Sequence, residues 1–475
     1  MPNMLNGLAT GIESAEGLTP EDAGRIHVLI RIYREHIAGN EEKLRYYDDM
    51  VTISDKDSKL PESIKAMNIQ TGYCAKAVDY LARRSVFDGF SIEGDAVEAL
   101  AEITSFNDIA AAYEEAATSE LTFGHGYWCV VPRRNKKVAA ITYHDPLEAA
   151  AEWDYLHKRV KYGMVITDLG RRTKTSRLEP TVVTMHTDEN IVVISRNKET
   201  WDKWTAEYIP NNMGEPMMVA MRFKPSRRQP FGKSRISRAS RSLVDQAIVA
   251  TQNLVAHDKY FAIPQKYLLN LSEEQYDALA GKEQKVYAND VLLGVAGEDG
   301  QRIDFGALQI GGVSEHISII ANIVQRFAAE NDMPMAAFGE LGNFTSSDAL
   351  NATSHDIVVL ATNMNRNNRK ALIRVAQMAL CVYQNKTMAE LTEEERGMTA
   401  HFADPSMLTI SQAADASLKV TSIVPGYAET DVFWERMGFD EDERHRIATQ
   451  MTDAERRTIA ANVLGQIGIS SGSGQ

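Results

Sequence analysis

The stretch from Val313 to Gln384 constrains the fold more than any other, because it places an apolar-striped helix, a glycine-bearing loop and a very long helix in direct succession. Val313, Ile317, Ile320, Val324 and Phe327 recur at steps of four and three, the spacing of one helical face, introduced by Gly311 and Gly312 and closed by Pro334. In the loop from Met335 to Ser347, Gly339 and Gly342 free the backbone, yet Phe338, Leu341 and Phe344 are too apolar for an ordinary solvent turn. Such a loop wants a partner. Ser346 or Ser347 then caps a helix striped by Ile357, Leu360, Met364, Ala371, Val375, Met378 and Val382, with neither Gly nor Pro inside it. About 38 residues at ~1.5 Å each span ~57 Å, far above the usual three turns. A helix this long, polar over much of its circumference, crosses a large assembly or packs against copies of itself.

Upstream, Ile26, Leu29, Ile30, Tyr33 and Ile37 predict a helix over 20–47, opened by the cap Thr19-Pro20-Glu21-Asp22. A second helix is expected from Pro61 through Ile64, Met67, Tyr73, Ala77, Val78 and Leu81, and a third from Ile109 to Leu121. Alternating apolar segments then follow at short intervals: 127–131, 138–143, 149–153, 160–166, 181–186, 191–195 and 201–209. These read as a meander of antiparallel strands. The prolines and glycine of Lys224 to Gly232 break any regular element. Leu243, Ala247, Ala250, Leu254 and Phe261 then stripe a helix from Arg235 to Tyr260 that closes at Pro264. A compact α/β insert with strands near 267–270, 286–293 and 303–305 precedes Val313. Beyond the long helix, Thr399 to Phe402 reads as one strand, and 411–420, 430–436, 441–451 and 454–464 as helices.

With 475 residues and 44% hydrophobic content, the chain can bury several cores, enough for two or three domains. The N-terminus lacks a signal-peptide pattern and no apolar run is long enough to cross a bilayer, so a soluble chain made inside the cell is expected. Cys74, Cys129 and Cys381 have no paired spacing, which argues against disulfides and zinc and for buried small hydrophobes. From Met388 onward fifteen Asp/Glu face seven Lys/Arg, so the last fifth holds over half of the net charge of -14. A general DNA binder would be basic. A conduit through which DNA must slide would not be, since a cationic lining would hold the phosphates fast; acidic surface for solubility is the plainer reading.

The best enzymatic candidate is Phe231-Gly232-Lys233-Ser234, the second half of a phosphate-binding loop. The glycine that motif needs five positions before Gly232 is Arg227, and Arg228, Gln229 and Pro230 fill the loop with bulk and remove a donor. His125, His144 and His355 have no ligand spacing to another His or Cys. No nucleophile elbow occurs. No catalytic residue, cofactor or metal site is therefore expected. The strongest charge anomaly is the run Arg222, Lys224, Arg227, Arg228, Lys233, Arg235, Arg238 and Arg241, without an acid until Asp245. Arg235, Arg238 and Arg241 share a face in the first turns of their predicted helix, where the macrodipole disfavours cations. An acidic surface of a neighbouring subunit, DNA, or solvent would each answer that charge, and Arg366, Arg369, Lys370 and Arg374 invite the same reading.

The order of helix, proline, apolar glycine-bearing loop and Ser-capped long helix resembles the stem helix, tunnel loop and kinked long helix of the portal proteins of tailed double-stranded DNA bacteriophages, closest to those of siphoviruses. The resemblance implies an α+β portal fold: an α/β wing over 1–231, a first stem helix over 232–263, a small α/β clip over 264–312 and a second stem helix over 313–333. It continues with a tunnel loop over 334–347, the long helix over 348–386, a return strand to the wing over 387–408 and a helical crown over 409–475. In that likeness Met335, Phe338, Gly339, Glu340, Leu341, Gly342, Asn343 and Phe344 face DNA in the channel, whereas for an unrelated chain they would be a plain helix connection. It further implies a homo-oligomeric ring of about twelve subunits at the capsid portal vertex of the virion, assembled in the host cytoplasm and conducting double-stranded DNA. The implied partners are the terminase large subunit, a head-tail adaptor, and the major capsid and scaffolding proteins, with no membrane. A packaging ATPase is the enzymatic alternative, argued against by the damaged phosphate loop. A capsid shell protein or head-tail adaptor is the structural one, argued against by paired stem helices and by length.

Overall fold

The computed structural model describes residues 11–53, 62–65, 67–171, 178–197, 201, 203–261, 266–280, 292–295, 303–307, 312–339, 355–406, 410–424, 426–439, 443–444 and 446–447. The fold is α+β, as expected, and divides into two compact units. The first comprises Met1–Tyr47, Ala75–Ser237 and Asn343–Gln475; the second comprises Asp48–Cys74 and Arg238–Gly342.

The first unit is built on a five-stranded antiparallel meander: β4 (Ala149–Asp154), β5 (Arg159–Arg171), β6 (Leu178–His186), β7 (Asn190–Ser195) and β8 (Thr205–Pro210). Helix α1 (Pro20–Tyr47) covers one face, laying Ile26, Leu29, Ile30 and Tyr33 against Ala150, Met164, Ile166, Val183, Met185, Val192 and Ile194. Its start is the expected cap: Asp22 N donates to Thr19 Oγ1 at 3.2 Å, and Tyr208 Oη on β8 donates to Asp22 Oδ2 at 2.9 Å. The opposite face, through Ala149, Ala151, Val160 and Val165, packs on Tyr127, Cys129 and Met218 of a second sheet. That sheet orders β3 (Ala140–His144), β2 (His125–Val131) and β9 (Met218–Arg222), all antiparallel. Alternation along Ala149-Ala150-Ala151 sends successive side chains to the two cores. At ~1.5–3 kcal/mol for each fully buried aliphatic side chain, this pair of cores is the main stabilising term of the unit.

Helices α4 (Val97–Asn107) and α5 (Ile109–Phe123) precede β2, and the 30-residue long helix α9 (His355–Gln384) packs against α4, β2, β9 and the later strand Thr399–Phe402. It ends at Asn385, whose φ of 55° breaks the helix, with Lys386 N donating to Cys381 O at 2.9 Å. The short helix α10 (Glu393–Arg396) follows, opened by a reciprocal cap between Thr392 and Glu395. Strand β13 (Thr399–Phe402) then returns to pair antiparallel with β1 (Phe87–Ser91), where Phe87, Phe90, Tyr113 and Phe402 form an aromatic cluster. Helices α11 (Ile410–Thr421) and α12 (Asp431–Arg436) follow.

The second unit holds α2 (Glu62–Lys65), α6 (Arg238–Phe261), α8 (Ser314–Glu330) and a small insert. In the insert, β10 (Lys266–Leu271) lies between β11 (Leu292–Val295), parallel to it, and β12 (Asp304–Ala307), antiparallel, with α7 (Glu273–Ala280) after β10. Helices α6 and α8 pack on each other, joined near one end by Asn331 Nδ2 donating to Ser240 Oγ at 3.2 Å.

Several expectations are corrected. The second helix is not continuous: α2 and α3 (Tyr73–Ala82) are separated at Gly72, whose φ of 65° leaves the helical region and whose N–H donates to Asp49 Oδ1 at 3.1 Å. Helix α4 and strands β1 and β9 were not expected, and the meander is two sheets rather than one. Residues 348–354 and most of 441–464 lie outside the described residues, so their expected helices are untested. Cys74, Cys129 and Cys381 are free and buried.

Candidate functional site

The segment that sequence offers as half a phosphate loop is a structural crossing. Gly124 ends α5 at φ 102° and Gly232 sits at φ 85°, back to back. A Cβ on Gly232 would fall on the Phe223 carbonyl oxygen and within 2.6 Å of the Gly124 carbonyl oxygen. The backbone donors a phosphate would need are spent: Gly232 N on Gln229 O, Lys233 N on Phe223 O and Arg235 N on Leu121 O, at 3.0, 2.8 and 2.8 Å. Ser234 Oγ donates to Thr122 O at 2.5 Å. His125 stacks on Tyr127 and Phe231, and His144 contacts Glu148 and Thr142. Among the described residues no group of His, Cys, Asp and Glu is placed to hold a metal ion, and no helix is long and apolar enough to cross a membrane.

The basic run separates. Helix α6 begins at Arg238, so Arg235 is not on its face: it is buried in the first unit, and its Nε donates to Ala77 O at 2.6 Å. The rigid crossing at Gly232 delays the helix by a turn. Arg238 is exposed and Arg241 half-buried, both in the second unit, and a shared helix face applies to these two alone.

The expected tunnel loop opens with a single 3-10 turn, Met335–Phe338, all half-buried, followed by Gly339 at φ 90° with open space where a Cβ would stand. Phe338 packs edge-on to Tyr73 and Phe327, with ring centroids 5.7 and 6.0 Å apart. At least this aromatic is therefore partnered within its own unit. Glu340, Leu341, Gly342, Asn343 and Phe344 lie outside the described residues.

The surface of helix α8 is not fully covered. Phe327 and Ile323 are buried, but Ile317 and Ile319 are 57% and 52% exposed, and in the insert Phe305 is 64% exposed with Ile303 and Val295 near half. Large apolar side chains left in solvent on the helix and on the insert offer surface for contact with another chain.

The long helix carries polar groups where a core would put leucines. Asn368 Nδ2 donates to Glu120 Oε2 at 2.7 Å and to Tyr113 Oη at 2.9 Å; Ser85 Oγ donates to Asn365 Oδ1 at 2.6 Å. Since the Ser85 hydroxyl hydrogen is thus used, Tyr113 is the donor in its 2.6 Å bond to Ser85. The donor chain leaves the long helix at Asn368, passes through Tyr113 and Ser85 and returns to it at Asn365. Burial pushes the Glu120 carboxyl up to about 8, against the lowering by Asn368 and the more distant Arg222, so it is held largely neutral. Nearly two turns further on, Arg374 of α9 and Arg159 of β5 both pair with the buried Glu215 carboxylate, fastening helix to sheet. Sequence reasoning found neither set, because their members lie far apart in the chain and an Asn in a helix reads as surface.

Residues 26–454 match the family described as phage portal protein, SPP1 Gp6-like, and the chain belongs to that family. A portal protein of Mycobacterium phage D29 is 20% identical over 425 residues, covering 86% of this chain and 83% of that protein. Among solved structures, the neck of a native gene transfer agent particle computed with C12 symmetry is similar at 14% identity and a TM-score of 0.38, covering 82% of this chain and 89% of the other. The virion of a native gene transfer agent particle is similar at 13% identity and a TM-score of 0.39, with the same coverage.

Proposed function

We propose that the chain closes into a ring of about twelve copies at one vertex of a phage capsid, forming the channel through which double-stranded DNA enters and leaves. In this reading the ring assembles in the host cytoplasm with major capsid and scaffolding proteins. It then docks the terminase large subunit during packaging and a head-tail adaptor afterwards, and catalyses nothing itself. Family membership over residues 26–454 carries the proposal. The exposed Ile317, Ile319, Ile303 and Phe305 support it, since heterologous contacts between copies would cover them and close a ring. In the same reading residues 334–347 line the channel, with Met335 to Phe344 meeting DNA and Phe338 anchoring the loop on Phe327. Arg238 and Arg241 face a neighbouring subunit. Negative-stain electron images with mass measurement of the purified protein test this: rings with a central hole are expected, and a chain that stays monomeric at all concentrations, with scaffolding protein present, would refute it.

A further inference from the structure

A cavity of about 590 Å³ opens in the first unit where β4, β5, β9 and the long helix α9 converge. Lys158, Arg159, Arg222, Lys370 and Arg374 line it against a single carboxylate, Glu215. Glu215 is 3% exposed and already shared by Arg159 and Arg374, so it offsets only part of their charge. Arg222 is fixed in the wall, its guanidinium 4.3 Å from the Trp153 ring centroid and its Nη1 donating to Pro230 O at 2.8 Å. Lys158 and Lys370 are exposed and make no ion pair within the described chain. His157, also on the rim, is turned to Asp154, 2.6 Å away, and adds no carboxylate to the cleft.

We infer that this cleft receives an acidic segment of a neighbouring copy of the chain, drawn from the stretch beyond Met388. The inference rests on the ring reading above and names one of its joints. Charge complementarity carries it: a chain of net charge -14, with fifteen Asp/Glu against seven Lys/Arg after Met388, holds a concave site of the opposite sign. The shape selects a peptide over duplex DNA. The walls are set by buried Trp153 and Met218, and a volume of this size admits a few side chains end-on, whereas a duplex presents a broad convex row of phosphates. The joint would also explain why Arg159 and Arg374 share one buried acid: Glu215 holds both guanidinium groups in place while leaving them donors for incoming carboxylates.

The double variant Lys158→Glu/Lys370→Glu tests the joint, with Lys158→Ala/Lys370→Ala as the milder form and circular dichroism confirming the fold. Native mass spectrometry should show the parent forming rings and the reversed variant needing more than about tenfold higher concentration to do so, with the alanine form between them. In rings mixed from light and heavy-nitrogen protein, zero-length carbodiimide cross-links should join Lys158 or Lys370 to Asp or Glu of the other isotope beyond Met388. A parent that rings beside a reversed variant that rings equally well overturns this inference and leaves the portal reading intact. A parent that never rings overturns both. If ring formation is unchanged but affinity for a short duplex DNA falls in the variant, the cleft is a nucleic-acid site and the inference is wrong.

Discussion

Glu120→Gln isolates the buried carboxyl that meets the long helix. Neutral Glu120 has the shape of glutamine, and its environment offers an ionised form a single hydrogen-bond donor, the Asn368 amide, and the field of Arg222, Oε1 having no hydrogen-bond partner. Its folded value of about 8 lies above its ordinary 4.5, so the native state holds a proton that the unfolded chain releases. The sign follows: stability from this group is complete below about 4.5, declines as pH rises toward about 8, and stays low above. Each pH unit in that window costs about 1.4 kcal/mol at most, so parent and variant should diverge by several kcal/mol across it. The other ionisable groups coupled to it are Tyr113 and Tyr143, both kept protonated by burial, and Arg222, and none changes charge there. Urea unfolding of both proteins at about pH 5, 6, 7, 8 and 9, followed by tryptophan fluorescence, reads the difference directly. At the acid end the two should agree within about 1 kcal/mol, with the variant gaining steadily as pH rises. A parent that holds or gains stability relative to the variant over this range would show that Glu120 is ionised in the fold.

Gly232→Ala should destabilise by more than about 3 kcal/mol, since it combines a left-handed backbone with overlap on two carbonyl oxygens. Lys233→Ala, an exposed neighbour, should stay within about 0.5 kcal/mol, and calorimetric titration of the parent with ATP and magnesium should give no heat; micromolar binding would revive a nucleotide role. Replacing Gly339 and Gly342 together with Val should leave ring size unchanged while reducing nuclease-protected DNA in proheads. Gly339 has open space around its missing Cβ, so the cost there is the strain of a β-branched residue at φ 90° and not collision. Parental packaging by such rings would make the loop a plain connector.

What sequence revealed and what it hid divide by locality. The stripe of α1 and its Thr19 cap are written in neighbouring residues, and the helix spans 20–47 as its spacing requires. Strands β4 to β7 read as short, nearly continuous apolar runs because both of their faces are largely buried, and adjacent strands pair through short turns. Strands β1 and β9 escaped because their partners, β13 and β2, are remote in the chain, so no local turn signals them. Arg235 shows the same limit. Helical spacing placed it beside Arg238 and Arg241, but the Gly124–Gly232 crossing, formed by residues over a hundred apart, starts the helix later and buries Arg235 on Ala77. Lys158 and Lys370 meet in one cleft for a reason that no window of sequence contains.

The pairing of β1 with β13 has a consequence for how the chain is made. Ser91 Oγ meets Thr399 Oγ1 at 2.7 Å across 308 residues of sequence. During synthesis β1 therefore emerges early and waits, unpaired, while Arg238–Gly342, which belongs to the other compact unit, is threaded out. The later unit in the chain is thus the first able to close, and the aromatic cluster of Phe87, Phe90 and Phe402 is among the last places to exclude water. A ribosome stalled anywhere before Thr399 leaves an open sheet edge of the kind that chaperones and proteases find, so the protein carries a built-in check that only a chain read through its long helix can shut.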